Sequence, residues 1–167
     1  MIDLNRQLLW TILVATVHLL SCFSATGLPE DKQQPIYVSS DRAQRDNQKN
    51  LTVYEGNVEL TQGTLKILAD KITLYHHNKS IDKIIATGKP AHYQQQPKIG
   101  EDDIIAKANI IKYEFEKASI LLRGNASIYQ DGATLASEII NYDIQSAVVQ
   151  ATSDERIQMV IPSVESK

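Results

Sequence analysis

Gly56-Asn57-Val58-Glu59-Leu60-Thr61-Gln62-Gly63, running on to Ala69-Asp70-Lys71-Ile72-Thr73-Leu74-Tyr75, decides the fold class of this chain. Val58 and Leu60 alternate with Asn57, Glu59 and Thr61. Across Gln62-Gly63, Leu65 and Ile67 alternate with Thr64 and Lys66, and Ile72 and Leu74 carry the pattern on. Aliphatic residues at period two, broken by Gly and Asn, describe strands with one wet face. The unit returns as Gly124-Asn125-Ala126-Ser127-Ile128-Tyr129-Gln130-Asp131-Gly132 followed by Ala136-Ser137-Glu138-Ile139-Ile140-Asn141-Tyr142. Self-similar units of this size cannot bury an apolar face alone and stack on their neighbours, leaving a long shared surface. Such a body suits carrying or bridging better than catalysis.

Outward from these units the same cadence holds. Ile81 to Ala86, Ala108 to Phe115, Ser119 to Leu122, Asn125 to Gln130, Thr134 to Tyr142, Ala147 to Thr152 and Ile157 to Ile161 all read as strands. Ile104 to Glu116 could be drawn as a helix, but its Ile and Tyr content favours strand. Asp131-Gly132 is the strongest hairpin signal, because both residues tolerate the positive φ of a type I′ turn. A looser repeat places Gly56, Gly88 and Gly124, spaced by 32 and 36 residues, after short apolar runs and leading into further strands. Gln94 to Asp103 is too polar and too broken by Pro97 and Gly100 for a strand, and reads as a protruding loop.

The ends read differently. Met1 to Gln7 is polar with Arg6, and an apolar run from Leu8 to about Phe23 follows, as in a secretory signal. That run is short for a membrane span and contains His18. Ala25-Thr26-Gly27 offers a cleavage site, so 1–27 is taken as a signal peptide, 28–35 as a flexible N-terminus, 36–161 as the domain and 162–167 as a flexible tail. The only cysteine, Cys22, follows a poor lipobox and is read as lost with the signal, leaving a mature chain without disulfides. Formal net charge is −3, with no block of like charge, which argues against nucleic acid as a partner.

The Gly-Asn-Val opening at Gly56, the Ala-Asp pair at Ala69, the tyrosine closing Ile72 to Tyr75 and their second-half echoes resemble the OstA-type domain family of periplasmic lipopolysaccharide-transport proteins. The likeness spans roughly Ile36 to Ile161. It implies an all-β, twisted open β-jellyroll of stacked antiparallel strands whose aliphatic interior holds the acyl chains of lipid A. It also implies partners: an LptC-like jellyroll at the inner membrane, the N-terminal jellyroll of an LptD-like protein at the outer membrane, and head-to-tail copies of the chain itself. No cofactor is implied.

The residues themselves supply an inner face of Val58, Leu60, Leu65, Ile67, Ile72, Leu74, Ile128, Leu135 and Ile139, which would line an apolar groove. Such a wall holds alkyl chains without direction, at about 25 cal/mol per Å² buried, and fixes no position along the groove. The alternative is that the same residues close on one another as a solid core. An open sheet also has edges, and strand addition would use Ile36, Tyr37 and Val38 at one end and Ile157, Met159 and Ile161 at the other. Lys66, Lys71, Lys79, Lys83, Lys89 and Arg42 are candidates to meet lipid phosphates, against their commoner role as solvated edge protection.

No catalytic or metal site is expected. His76 and His77 are adjacent and face opposite sides of a strand, so they are read as a solvated turn, and Glu101-Asp102-Asp103 lacks the spacing of a calcium loop. Two further readings stay open: a relative anchored in the inner membrane by Leu8 to Phe23, and a structural β-protein of the envelope that carries nothing. An outer-membrane barrel would need aromatic girdles that the sequence lacks.

Overall fold

The computed structural model describes residues 31–162 except 79, 99 and 155; the expected signal peptide and most of the expected tail lie outside the described residues. Alternation produces strands throughout: β1 (Tyr37–Ser39), β2 (Arg42–Asp46), β3 (Leu51–Gln62), β4 (Leu65–His77), β5 (Ser80–Gln95), β6 (Ile104–Glu114), β7 (Ser119–Gln130), β8 (Ala133–Asp143), β9 (Val148–Thr152) and β10 (Gln158–Val160). They form one ten-stranded antiparallel sheet in which β3 to β8 run in sequence order. Among the described residues no strand joins the two ends, so the sheet is open and is not a closed barrel. The architecture is a β-jellyroll, as expected.

Gly56, Gly88 and Gly124 do not start new strands. They sit in the middle of β3, β5 and β7, where the pairing register slips. Gly56-Asn57 in β3 opposes the single residue Asp70 of β4, and Gly124-Asn125 in β7 opposes Glu138 of β8. Both bulge residues have positive φ, 80° and 47° at Gly56 and Asn57, 77° and 49° at Gly124 and Asn125. Bulges bend a strand. Aligned across six neighbouring strands, they crease the whole sheet into two halves.

β1 and β10 bound one half, and β2 and β9 bound the other. Fold-back is visible in single contacts. Tyr142 pairs with Ile120, and Gln130 lies ten residues farther along β7, about 33 Å of straight strand. Yet the Tyr142 hydroxyl donates to Gln130 Oε1 at 2.9 Å. Only a sheet doubled over can bring these residues together.

The core lies between the halves. Next to the crease one half contributes Ala69, Ala91, Ala108 and Ala126, and the other Ile72, Ile111, Leu122 and Ile140. Small side chains opposite large ones suit a narrow angle. Farther out come Leu60, Ile67, Ile84, Ile104 and Ile120, all fully buried.

Several expectations need correction. The crease shifts the inward parity in β8, so Ile140 is fully buried while Ile139 is half-buried and outside the core cluster. Asn125 to Gln130 and Ser119 to Leu122 are parts of one strand, β7. Asp31–Gln33, within the stretch expected to be loose, forms a 3-10 turn. Asp31 accepts from the Thr64 amide at 2.7 Å and from Gln95 Nε2 at 2.7 Å, tying that segment to the ends of β4 and β5. Asp131 and Gly132 do have φ of 51° and 79° and form the expected hairpin turn.

Candidate functional site: a clasped apolar interior and two free edges

Seven of the nine predicted inner-face residues, Val58, Leu60, Leu65, Ile67, Ile72, Leu74 and Ile128, are buried in one continuous core. Leu135 is partly buried against it. The interior is closed, because these seven side chains pack on one another and none is more than 4% exposed. Sequence reading missed Ile84, Ile104, Ile111, Ile120, Leu122 and Ile140, which bury as fully. The same alternation marks them, once the parity shift at the crease is known.

Away from the crease, the free rims of the two halves are clasped by tyrosine and glutamine. The Tyr142 hydroxyl reaches across to Gln130, and Tyr113 reaches across to Gln95. The Tyr93 and Tyr113 rings, on opposite halves, have centroids 6.1 Å apart, and Phe115 meets Tyr113 edge-on at 4.8 Å. Gln95 accepts from the Tyr93 hydroxyl and donates to Asp31, while Gln62 donates to the Gln34 carbonyl at 2.9 Å. No buried side-chain N or O among the described residues lacks a partner. Burial therefore costs these groups little, provided the network stays whole.

Burial still marks the phenols. It pushes Tyr113 up to about 12, with Asp31 adding to the rise and the Gln95 hydrogen bond opposing it. Burial likewise raises Tyr93 well above the usual phenol range, and raises Tyr142 against the pull of Gln130. The clasp is therefore held by neutral hydroxyls. It can be opened by exchanging each hydrogen bond for water, a small net cost per bond.

Edge residues divide unevenly. β1 and β10, carrying Tyr37, Val38 and Met159, are the outer strands of the same half, at opposite ends of the molecule. Ile36 and Val38 partly pack on the core, whereas Tyr37, Met159, Val160 and the flanking Ile157 and Ile161 are exposed. Ile157 and Ile161 lie outside the ladder of β10. The other half ends in β2 and β9, and Arg42–Asp46 escaped notice because a strand exposed on both faces shows no alternation.

Three of the six predicted basic candidates meet a carboxylate and a fourth lies over a ring. Lys66 meets Glu59 at 2.7 Å, Lys71 meets Glu55 at 3.0 Å, Arg42 meets the same Glu55 at 3.7 Å, and Lys83 lies 4.2 Å over the Tyr75 ring. Lys79 lies outside the described residues, and among those described no carboxylate pairs with Lys89. His76 lies within β4, one residue before its end, and bonds Thr52 Oγ1 at 2.9 Å instead of standing in a solvated turn. Among the described residues no cluster of His, Cys, Asp and Glu could hold a metal, and no helix could cross a membrane.

Sequences similar to this one, and its antiparallel fold, recur in known proteins. Residues 37–148 match the family described as LptA/(LptD N-terminal domain) LPS transport protein. The chain belongs to that family. LptH of Pseudomonas aeruginosa, a lipopolysaccharide export system protein, is 34% identical over 139 residues, covering 83% of this chain and 79% of LptH. Escherichia coli LptA is 33% identical over 156 residues, covering 92% and 80%. The Haemophilus influenzae LptA is 28% identical over 158 residues, covering 91% of each. The crystal structure of P. aeruginosa LptH, described as a periplasmic component of the lipopolysaccharide transport device, superposes with a TM-score of 0.74. That match, at 33% identity, takes in 81% of this chain and all of the other. The LptA-type fold is thus common to both.

Proposed function

We propose that this protein is a periplasmic carrier and bridge that passes lipopolysaccharide from the inner towards the outer membrane. The observation that carries the reading is the closed aliphatic interior inside a sheet that is itself open, with unpaired strands at both ends. Acyl chains of lipid A replace side-chain contacts between the halves, and the saccharide stays outside. Because Leu60, Ile67 and Ile72 already pack on the facing half, lipid enters by parting the rims at the tyrosine clasp while the crease acts as the hinge. Non-directional apolar contact, about 25 cal/mol per Å², holds the chains and leaves them free to slide.

The edges β1 and β10 extend the track by strand addition. One end takes an LptC-like jellyroll of the inner membrane and the other an LptD-like N-terminal jellyroll, with copies of this chain between them where the span requires. Family membership and the exposed Tyr37 and Met159 edges support this arrangement.

The test is a photo-crosslinking residue at Leu60 or Ile72, probed in cells for lipopolysaccharide adducts. Folded variants with no adduct from any inward position would sink the carrier reading. A crosslinker at Val38 that never captures a second jellyroll would remove edge docking and leave the carrier reading standing.

A further inference from the structure

The two Gly-Asn bulges share one backbone conformation and differ in what lies beside them. At the first, Asn57 Nδ2 donates to Asp41 Oδ2 at 3.0 Å, so the carboxamide already holds an oxyanion supplied by the chain. At the second, Asn109 lies over Gly124 and no carboxylate among the described residues bonds Asn125. Asn125 instead lines a cleft of about 650 Å³ on the outer surface of the crease, with Lys89, Lys107, Asn109 and Ser127. Among the described residues neither lysine has a carboxylate partner, although Lys66, Lys71, Lys98, Lys112 and Lys117 all do. Glu138, opposite Asn125, lines the adjoining cleft with Asp154 and Arg156.

We propose that this cleft binds a phosphate ester carried on a sugar. Two unneutralised ammonium groups suit the phosphate, and two carboxamides with a hydroxyl suit vicinal sugar hydroxyls, which need both donors and acceptors. The volume accepts a monosaccharide and its phosphate. The cleft lies on the opposite side of the sheet from the apolar interior, so the inference does not rest on acyl chains being held there. Such an ester reaches the cleft as a soluble sugar phosphate or as the headgroup of a glycolipid.

Titration of the isotopically labelled protein with glucose 1-phosphate, followed by amide NMR, tests the site. Saturable shifts are expected at Gly88, Asn125 and Ser127, with tighter binding than for glucose or inorganic phosphate alone. Lys89→Gln and Lys107→Gln should each weaken binding about threefold, the scale of an exposed ion pair, and Lys66→Gln should not. Vesicles of lipid A in phosphatidylcholine that compete with the sugar phosphate, where plain phosphatidylcholine does not, identify a headgroup as the source; failure to compete identifies the soluble ester. Shifts that never saturate, that inorganic phosphate reproduces in full, or that survive both lysine substitutions would overturn the proposal.

Discussion

Replacing Gly56 by alanine separates two costs that the crease imposes. A residue with φ of +80° is in left-handed space, which costs an L side chain about 1 kcal/mol. A Cβ there would also overlap the Asp41 carboxylate, with the Asp41 Cβ and Cγ only 2.9 Å away. Asp41 must then swing out, losing the Asn57 hydrogen bond and loosening its own amide bond to the Gly56 carbonyl, 3.0 Å. Each is worth about 1 kcal/mol, so Gly56→Ala should cost about 3 kcal/mol in all. Gly100 supplies the control, since its φ is +82° and nothing lies within 4 Å of its added Cβ. Gly100→Ala should cost only about 1 kcal/mol. Urea unfolding followed by far-ultraviolet circular dichroism measures both, and the described residues contain no tryptophan to confuse a tyrosine signal. If the two substitutions cost the same within about 0.5 kcal/mol, Asp41 does not brace the crease and the reasoning fails.

Ile140→Ala should destabilise by about 2–5 kcal/mol and Ile139→Ala by clearly less, because only Ile140 is fully buried; chemical denaturation of the pair checks the parity shift. Tyr113 should titrate near 12 by phenolate absorbance. Since its folded value lies above the unfolded one, the folded state holds its proton more tightly, so stability should fall as pH rises from about 10 through that value, and Tyr113→Phe should flatten the loss. His76 is held below the ordinary imidazole value, first by desolvation and then by Arg45, so its contribution is present above the unfolded value and is lost as pH falls from there through the lower folded value. Imidazole NMR should show that lowered titration, and Thr52→Val should alter it by removing the bond at 2.9 Å.

The sequence pattern carried the sheet and most of the core, because burial on one face writes itself into alternation at Val58, Leu60, Ile72 and Leu74. It misplaced the role of the glycines. Gly-Asn at a bulge and Gly-Asn at a turn satisfy the same demand for positive φ, and only the partner strand's register tells them apart. The error at Ile139 follows directly, since parity past Glu138 depends on a slip that β8 does not reveal by itself. Tyr113 and Tyr142 were visible as residues but not as a clasp, because their glutamine partners become neighbours only when the sheet doubles over. The edge strand β2 is exposed along nearly its whole length and has no pattern to show, whereas β9 was read from Ala147 to Thr152.

From β3 to β8 each strand's hydrogen-bonding partner is the one made immediately before it. A chain emerging in order from a ribosome or a narrow pore therefore never has to store an unpaired strand while waiting for a distant one. Each hairpin zips onto a template already in place, which keeps loop closure short and limits exposure of sticky edges during assembly. The same order makes length adjustable: one more hairpin duplicated at either end would meet a ready ladder, and a longer molecule could arise without redesigning the rest.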